Sequence, residues 1–123
     1  MAERIVIADD EPNLVTPLEY MLKREGFEVT VARDGQEALE AVARVRPHLV
    51  LMDVMMPRKS GFDVCQVLRA DEANRHLRIL LLTAKGRDDD VAKGLALGAD
   101  AYMIKPFSPK ELLLKVRQLL ERP

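Results

Sequence analysis

The residues that could do chemistry together in this chain of 123 are Asp9, Asp10, Asp53, Thr83 and Lys105. Each stands at the end of a short apolar run: Ile-Val-Ile-Ala before Asp9-Asp10, Leu-Val-Leu-Met before Asp53, Ile-Leu-Leu-Leu before Thr83, and Ala-Tyr-Met-Ile before Lys105 and Pro106. Taken singly each is bland. An Asp after a strand starts a turn, a Thr is a β-branched strand residue, and a Lys before a Pro is solvated. Taken together they describe a reaction. Three carboxylates in one place repel, and one of them would keep its proton unless a cation intervened. A divalent ion removes that conflict. Hard oxygen donors without a His or Cys cluster favour Mg2+ over zinc, with Mn2+ as an alternative. A carboxylate can also act as a nucleophile and form an aspartyl phosphate. Lys105 could neutralise the transferring phosphoryl group, and the Thr83 hydroxyl could donate a hydrogen bond to it.

This chemistry requires that the runs lie side by side. Apolar runs of this length read as buried strands of a parallel sheet, expected at residues 5–9, 28–31, 49–53, 79–83 and 101–104. Amphipathic stretches fall between them. The first carries Leu14, Val15, Leu18, Met21 and Leu22 and stops at Gly26, with Pro17 predicting an irregular or kinked start. The second starts at Asp34 with Glu37 in a capping arrangement, turns Ala38, Leu39, Val42 and Val45 inward, and closes at Pro47. The third is expected over 62–70. The fourth follows Asp88–Asp90 and uses Val91, Ala92 and Leu95. The fifth has Ser108 as cap, Pro109 first, Glu111 third, and a stripe of Leu112, Leu113, Val116, Leu119 and Leu120. Strands alternating with helices imply right-handed crossovers and a sheet covered on both faces. The expected fold is therefore α/β: a flavodoxin-like, doubly wound, five-stranded parallel sheet of order 2-1-3-4-5 with five helices, in one domain over 1–123. In that order the first and third strands are neighbours at the switch point, where ligands bind beyond the carboxyl ends. The acidic ends would then be adjacent.

Composition narrows the classes. Lys and Arg total 19 against 20 Asp and Glu, a formal net charge of −1, which argues against direct nucleic-acid binding by this domain. One cysteine, Cys65, excludes an internal disulfide and reads as a small buried hydrophobe. No run is long and apolar enough for a membrane span, and the first strand begins too early for a signal peptide, so a cytoplasmic protein is expected. His48 and His76 flank strands without ligand spacing.

The segments Ile-Val-Ile-Ala-Asp-Asp-Glu at 5–11, Leu-Met-Asp-Val-Met-Met-Pro at 51–57 with Gly61, Leu-Thr-Ala at 82–84 and Lys-Pro-Phe at 105–107, in this order and spacing, resemble the receiver domains of two-component response regulators over essentially the whole chain. The resemblance implies a signalling switch that is not a turnover enzyme. It would accept a phosphoryl group from a histidine kinase or phosphotransfer protein, promote its own phosphorylation and slowly hydrolyse the product. Asp53 would be the phosphoacceptor. Asp10, Asp53 and the backbone carbonyl of Met55 would hold Mg2+, with Asp9 acting through a water. Thr83, Lys105 and the backbone of Ala84 would contact the phosphoryl oxygens. A cis peptide between Lys105 and Pro106 is implied, as is a switch in which Thr83 moves and Tyr102 turns inward. Met55 and Lys85 would tune the lifetime of the phosphate.

The implied output surface is the fourth helix, fifth strand and fifth helix, open to a downstream effector or a phosphorylation-dependent homodimer. Leu114 falls off the apolar stripe of its helix. It marks a contact rimmed by Lys93, Asp100, Glu111 and Arg117, against the alternative that a single exposed leucine is ordinary. Competing functions are a haloacid-dehalogenase-like phosphohydrolase and an unphosphorylated interaction module. The first lacks its usual second Asp two residues after the nucleophile, where Met55 stands; the second leaves the acidic residues without a purpose. Whether the chain is a stand-alone receiver or part of a larger regulator stays open.

Overall fold

The computed structural model describes residues 2–121. Five strands alternate with five helices. They are β1 (Arg4–Ala8), α1 (Pro12–Arg24), β2 (Glu28–Ala32), α2 (Gly35–Val45), β3 (Leu49–Asp53), α3 (Gly61–Ala70), β4 (Arg78–Ala84), α4 (Asp88–Ala96), β5 (Ala101–Lys105) and α5 (Pro109–Glu121). All strand pairs are parallel, and the order is β2-β1-β3-β4-β5. The expected sheet order and helix number are those observed. A short 3-10 turn at Glu72–Asn74 was not foreshadowed by the sequence.

The continuous apolar runs follow from the two-sided cover. Successive strand side chains point to opposite faces. Ile5, Ile7, Leu49, Leu51, Leu80 and Leu82 pack with Val15, Leu18, Leu22, Leu112, Val116 and Leu119 of α1 and α5. Val6, Ala8, Val50, Met52, Ile79 and Leu81 pack with Ala38, Val42, Val64, Cys65 and Leu68 of α2 and α3. Full burial of one such Leu or Ile contributes about 1.5–3 kcal/mol, so both faces hold the strand ends rigidly. No described helix is long and apolar enough to cross a membrane.

Local signals explain the helix starts. The Asp34 side chain accepts the Glu37 N–H at 2.8 Å, and Glu37 reaches back to the Arg33 N–H. Ser108 Oγ accepts the Glu111 N–H. A full capping box of Ser60 with Asp63 starts α3 one residue earlier than expected. Pro17 does not break α1: it and Asn13, the residue one turn before it, are both exposed, so water can take the carbonyl that Pro17 leaves without its donor.

The fourth helix departs from expectation. Ala92 and Leu95 are exposed and Val91 is only half-buried, while Gly94 is buried. A Cβ on Gly94 would overlap Leu81 Cδ1. Helix α4 therefore approaches the sheet through its glycine, and that rotation carries Ala92 and Leu95 outward.

Candidate functional site

The sheet brings the polar strand ends to one crest. Strand β1 lies between β2 and β3, with Ala8 in register with Met52. That sets Asp9 and Asp10 beside Asp53. Strand β4 adds Thr83, one residue beyond Leu82, which is in register with Asp53. Strand β5 then places Lys105 in register with Ala84. One carboxylate oxygen each from Asp9, Asp10 and Asp53 lies within 4.8 Å of the others; Asp9 and Asp53 are buried and Asp10 is exposed.

Each buried carboxylate is oriented twice. Asp9 Oδ1 accepts the Glu11 N–H at 3.0 Å, and Asp53 Oδ1 accepts the Met55 N–H at 3.0 Å. Their other oxygens face the same ammonium: Lys105 Nζ lies 3.1 Å from Asp9 Oδ2 and 3.2 Å from Asp53 Oδ2. Glu11 is a third partner at 3.3 Å, a role with no signal in the sequence beyond its place in the segment 5–11. The Lys105–Pro106 bond is cis, as expected. Burial pushes the Asp53 carboxyl above its ordinary value, and the charge of Asp9 adds to this. The Met55 N–H and Lys105 pull the other way without cancelling it. For Lys105, burial alone would depress the amine; the hydrogen bond to Asp9 and the charges of Asp53 and Asp9 outweigh it, and the net shift is upward.

Thr83 is 3% exposed, and its Oγ1 meets no hydrogen-bonding partner among the described residues. Buried polar atoms almost always have partners, so this hydroxyl stands out at the crest. Ala84 and Lys85 are exposed beyond it, and Met55 is exposed at the rim. The donor set suits a hard divalent cation: clustered carboxylate oxygens with no sulfur or imidazole.

The remaining sequence-marked residues separate. Tyr102 is half-exposed on β5 and lines a groove of about 550 Å3 with Leu95, Ile104, Phe107, Glu111 and Lys115. Leu114 is 57% exposed on α5. Of the charges placed around it, Asp100 and Glu111 line the groove, and Lys93 and Arg117 do not. Lys93 stacks over the Phe62 ring at 4.5 Å, and Arg117 pairs with Glu25 at 2.6 Å beside Phe27. Asp100 is engaged internally by Arg69 at 2.7 Å and by the Ile79 N–H. A helical projection shows which residues share a side of one helix but not which charges neighbouring elements claim. His48 sits at the opposite end of the sheet, where its Nδ1 accepts the Arg4 N–H.

The sequence also understated the loop after β3. Asp34, 8% exposed, faces Arg58 at 3.6 Å, and Gly35 abuts Lys59. In the sequence Asp34 shows only as a helix start; its approach to Arg58 depends on packing.

Known proteins share this sequence pattern and fold. The DNA-binding response regulator MtrA of Mycolicibacterium smegmatis is 49% identical over 122 residues, covering 99% of this chain and 52% of that protein. The chain thus spans about half the length of the curated relatives it matches. The BeF3-activated receiver domain of Klebsiella pneumoniae RstA superposes with a TM-score of 0.89 at 33% identity, covering 98% of this chain and 100% of that one. The receiver domain of a sensor histidine kinase from Pseudomonas aeruginosa, solved with magnesium coordinated in its active-site cleft, gives 0.89 at 30% identity, covering 99% and 100%. Residues 5–117 match the response regulator receiver domain family. With the strand order, the acidic crest and a match over nearly its whole length in agreement, the chain belongs to the receiver domains of two-component response regulators.

Proposed function

We propose that this receiver domain takes a phosphoryl group on Asp53 from the phosphohistidine of a kinase or phosphotransfer protein, or from a small phosphodonor, and later hydrolyses it. The observation that carries the reading is the Asp53 carboxylate itself: buried at the end of β3, one oxygen tied to the Met55 N–H and the other facing Lys105. An Asp53 oxygen attacks phosphorus, the phosphorus–nitrogen bond breaks, and imidazole leaves with the electron pair. Lys105 neutralises charge on the transferred group, and Thr83 Oγ1 donates to a phosphoryl oxygen, as does the Ala84 backbone N–H. Asp10, Asp53 and the Met55 carbonyl would hold Mg2+ or Mn2+, with Asp9 acting through a water; the ion would offset the carboxylate charge and help hold the donor's phosphoryl oxygens.

The phosphoryl group brings roughly −1.5 to −2 of charge, judged by phosphoserine. Drawing Thr83 toward it opens space that Tyr102 can enter, a population shift between two packings. The reader of that shift would be the face bearing Leu95, Tyr102, Ile104 and Leu114, used by an effector or a second copy. Met55 and Lys85 at the rim tune phosphate lifetime. The domain works as a cytoplasmic switch, not a turnover enzyme. The test is acyl-phosphate labelling in Mg2+, with wild type and Asp53→Asn compared and oligomeric state followed in parallel. Label on the wild type alone is expected; equal labelling of both would overturn the assignment.

A further inference from the structure

Residues 54–60 join Asp53 to α3 and carry both groups that Met55 contributes. The start of this loop is held by Val54 N–H to Leu82 O at 3.0 Å and by Gly61 N–H to Val54 O at 2.9 Å. A Cβ on Gly61 would stand 2.6 Å from the Asp53 carbonyl oxygen, so the chain returns directly onto the phosphoacceptor's backbone. The far side of the loop rests elsewhere. A Cβ on Gly35, the first residue of α2, would overlap both the carbonyl oxygen and the Cβ of Lys59. Beside it Arg58 takes a positive φ of 70° and reaches Asp34, whose other oxygen caps α2.

Gly35 needs no glycine for its own backbone, since its φ lies outside the left-handed region. Alanine is the better helix former, so helix propensity alone favours Gly35→Ala. What stands against a side chain here is contact with the loop. We propose that Asp34 and Gly35 are positioning residues for the phosphorylation site: they seat the loop that carries Met55, and so set divalent-cation affinity without touching the ion. This rests on the metal-dependent phosphoacceptor reading above.

The experiment measures Mg2+ affinity by titrating the thermal shift, with amide hydrogen exchange across the chain. Changes to groups that orient metal ligands typically cost roughly 10–100-fold in affinity, and Gly35→Ala is expected in that range, with faster exchange confined to residues 55–60. Gly26→Ala is the control: its φ is 97°, nothing among the described residues lies within 4 Å of an added Cβ, and it sits at the opposite end of the sheet. It should lower Tm and leave affinity unchanged. Wild-type affinity in folded Gly35→Ala overturns the proposal. Should Gly35→Ala not fold, Arg58→Gly decides: it keeps the backbone geometry and releases Asp34, so affinity falls if the seat matters, and unchanged affinity overturns it. A wild type with no response to Mg2+ refutes the underlying reading, and the inference with it.

Discussion

The unpartnered Thr83 hydroxyl sets function against stability, and Thr83→Val measures the conflict. Valine keeps the shape and β-branching of threonine and removes the oxygen. At 3% exposure, with no partner for Oγ1 among the described residues, the hydroxyl should cost the resting fold about 1–2 kcal/mol. Unfolding entropy for a chain of this size is about 0.26 kcal/mol/K at 2.1 cal/mol/K per residue. Thr83→Val is therefore expected to raise the Tm of the metal-free, unphosphorylated domain by about 4–8 °C. Acceptance from a small phosphodonor should fall, and loss of one donor to a developing anion corresponds to about 100- to 1,000-fold. The assays are calorimetry in EDTA and initial rates of acyl-phosphate formation in Mg2+. A Tm at or below that of the wild type would refute the claim that the hydroxyl is unsatisfied. A raised Tm with an unchanged rate would refute its role in the transfer.

Other outcomes follow from the same crest. Because the native Asp53 pKa is raised, its contribution to stability is full below the ordinary carboxylate range and is lost as pH rises through the native value. In EDTA, Asp53→Asn should therefore gain on the wild type as pH rises from about 4 to 7, while Mg2+ reverses the order by stabilising the wild type; parallel melts check both. Lys105→Met leaves Asp9 and Asp53 without their shared cation and is expected to cost about 1–3 kcal/mol in urea unfolding at neutral pH. Burial raises the Cys65 thiol and outweighs the opposing charge of Arg69, with a smaller upward push from Asp100; iodoacetamide at neutral pH should label Cys65 only after unfolding. Leu114→Glu should abolish phosphorylation-dependent self-association in sedimentation while leaving labelling of Asp53 intact, and substitutions at Met55 or Lys85 should change the decay rate of the label.

How much was legible in the chain depended on the range of the interaction. Strand and helix identities followed from runs and periodicity, because a sheet covered on both faces needs apolar side chains at every strand position. The caps at Asp34 and Ser108 were legible because each spans only three residues. The exposure of Leu95 was not, because Gly94 lets α4 approach Leu81 on a strand thirteen residues earlier in the chain. The partners of Lys93, Asp100 and Arg117 were hidden for the same reason: Phe62, Arg69 and Glu25 are distant in sequence and reach them only through packing.

The sequence by itself determined the parts of the site: carboxylates, a hydroxyl and an amine at the ends of strands whose order follows from alternation with helices. Only the tertiary structure decided how they are used. It gave one ammonium to Asp9, Glu11 and Asp53 together, left Thr83 Oγ1 without a partner among the described residues, and set the loop of Met55 against the first turn of α2. Residue type fixes what a group can donate or accept, whereas its partner depends on atomic positions that only the packed sheet and helices define.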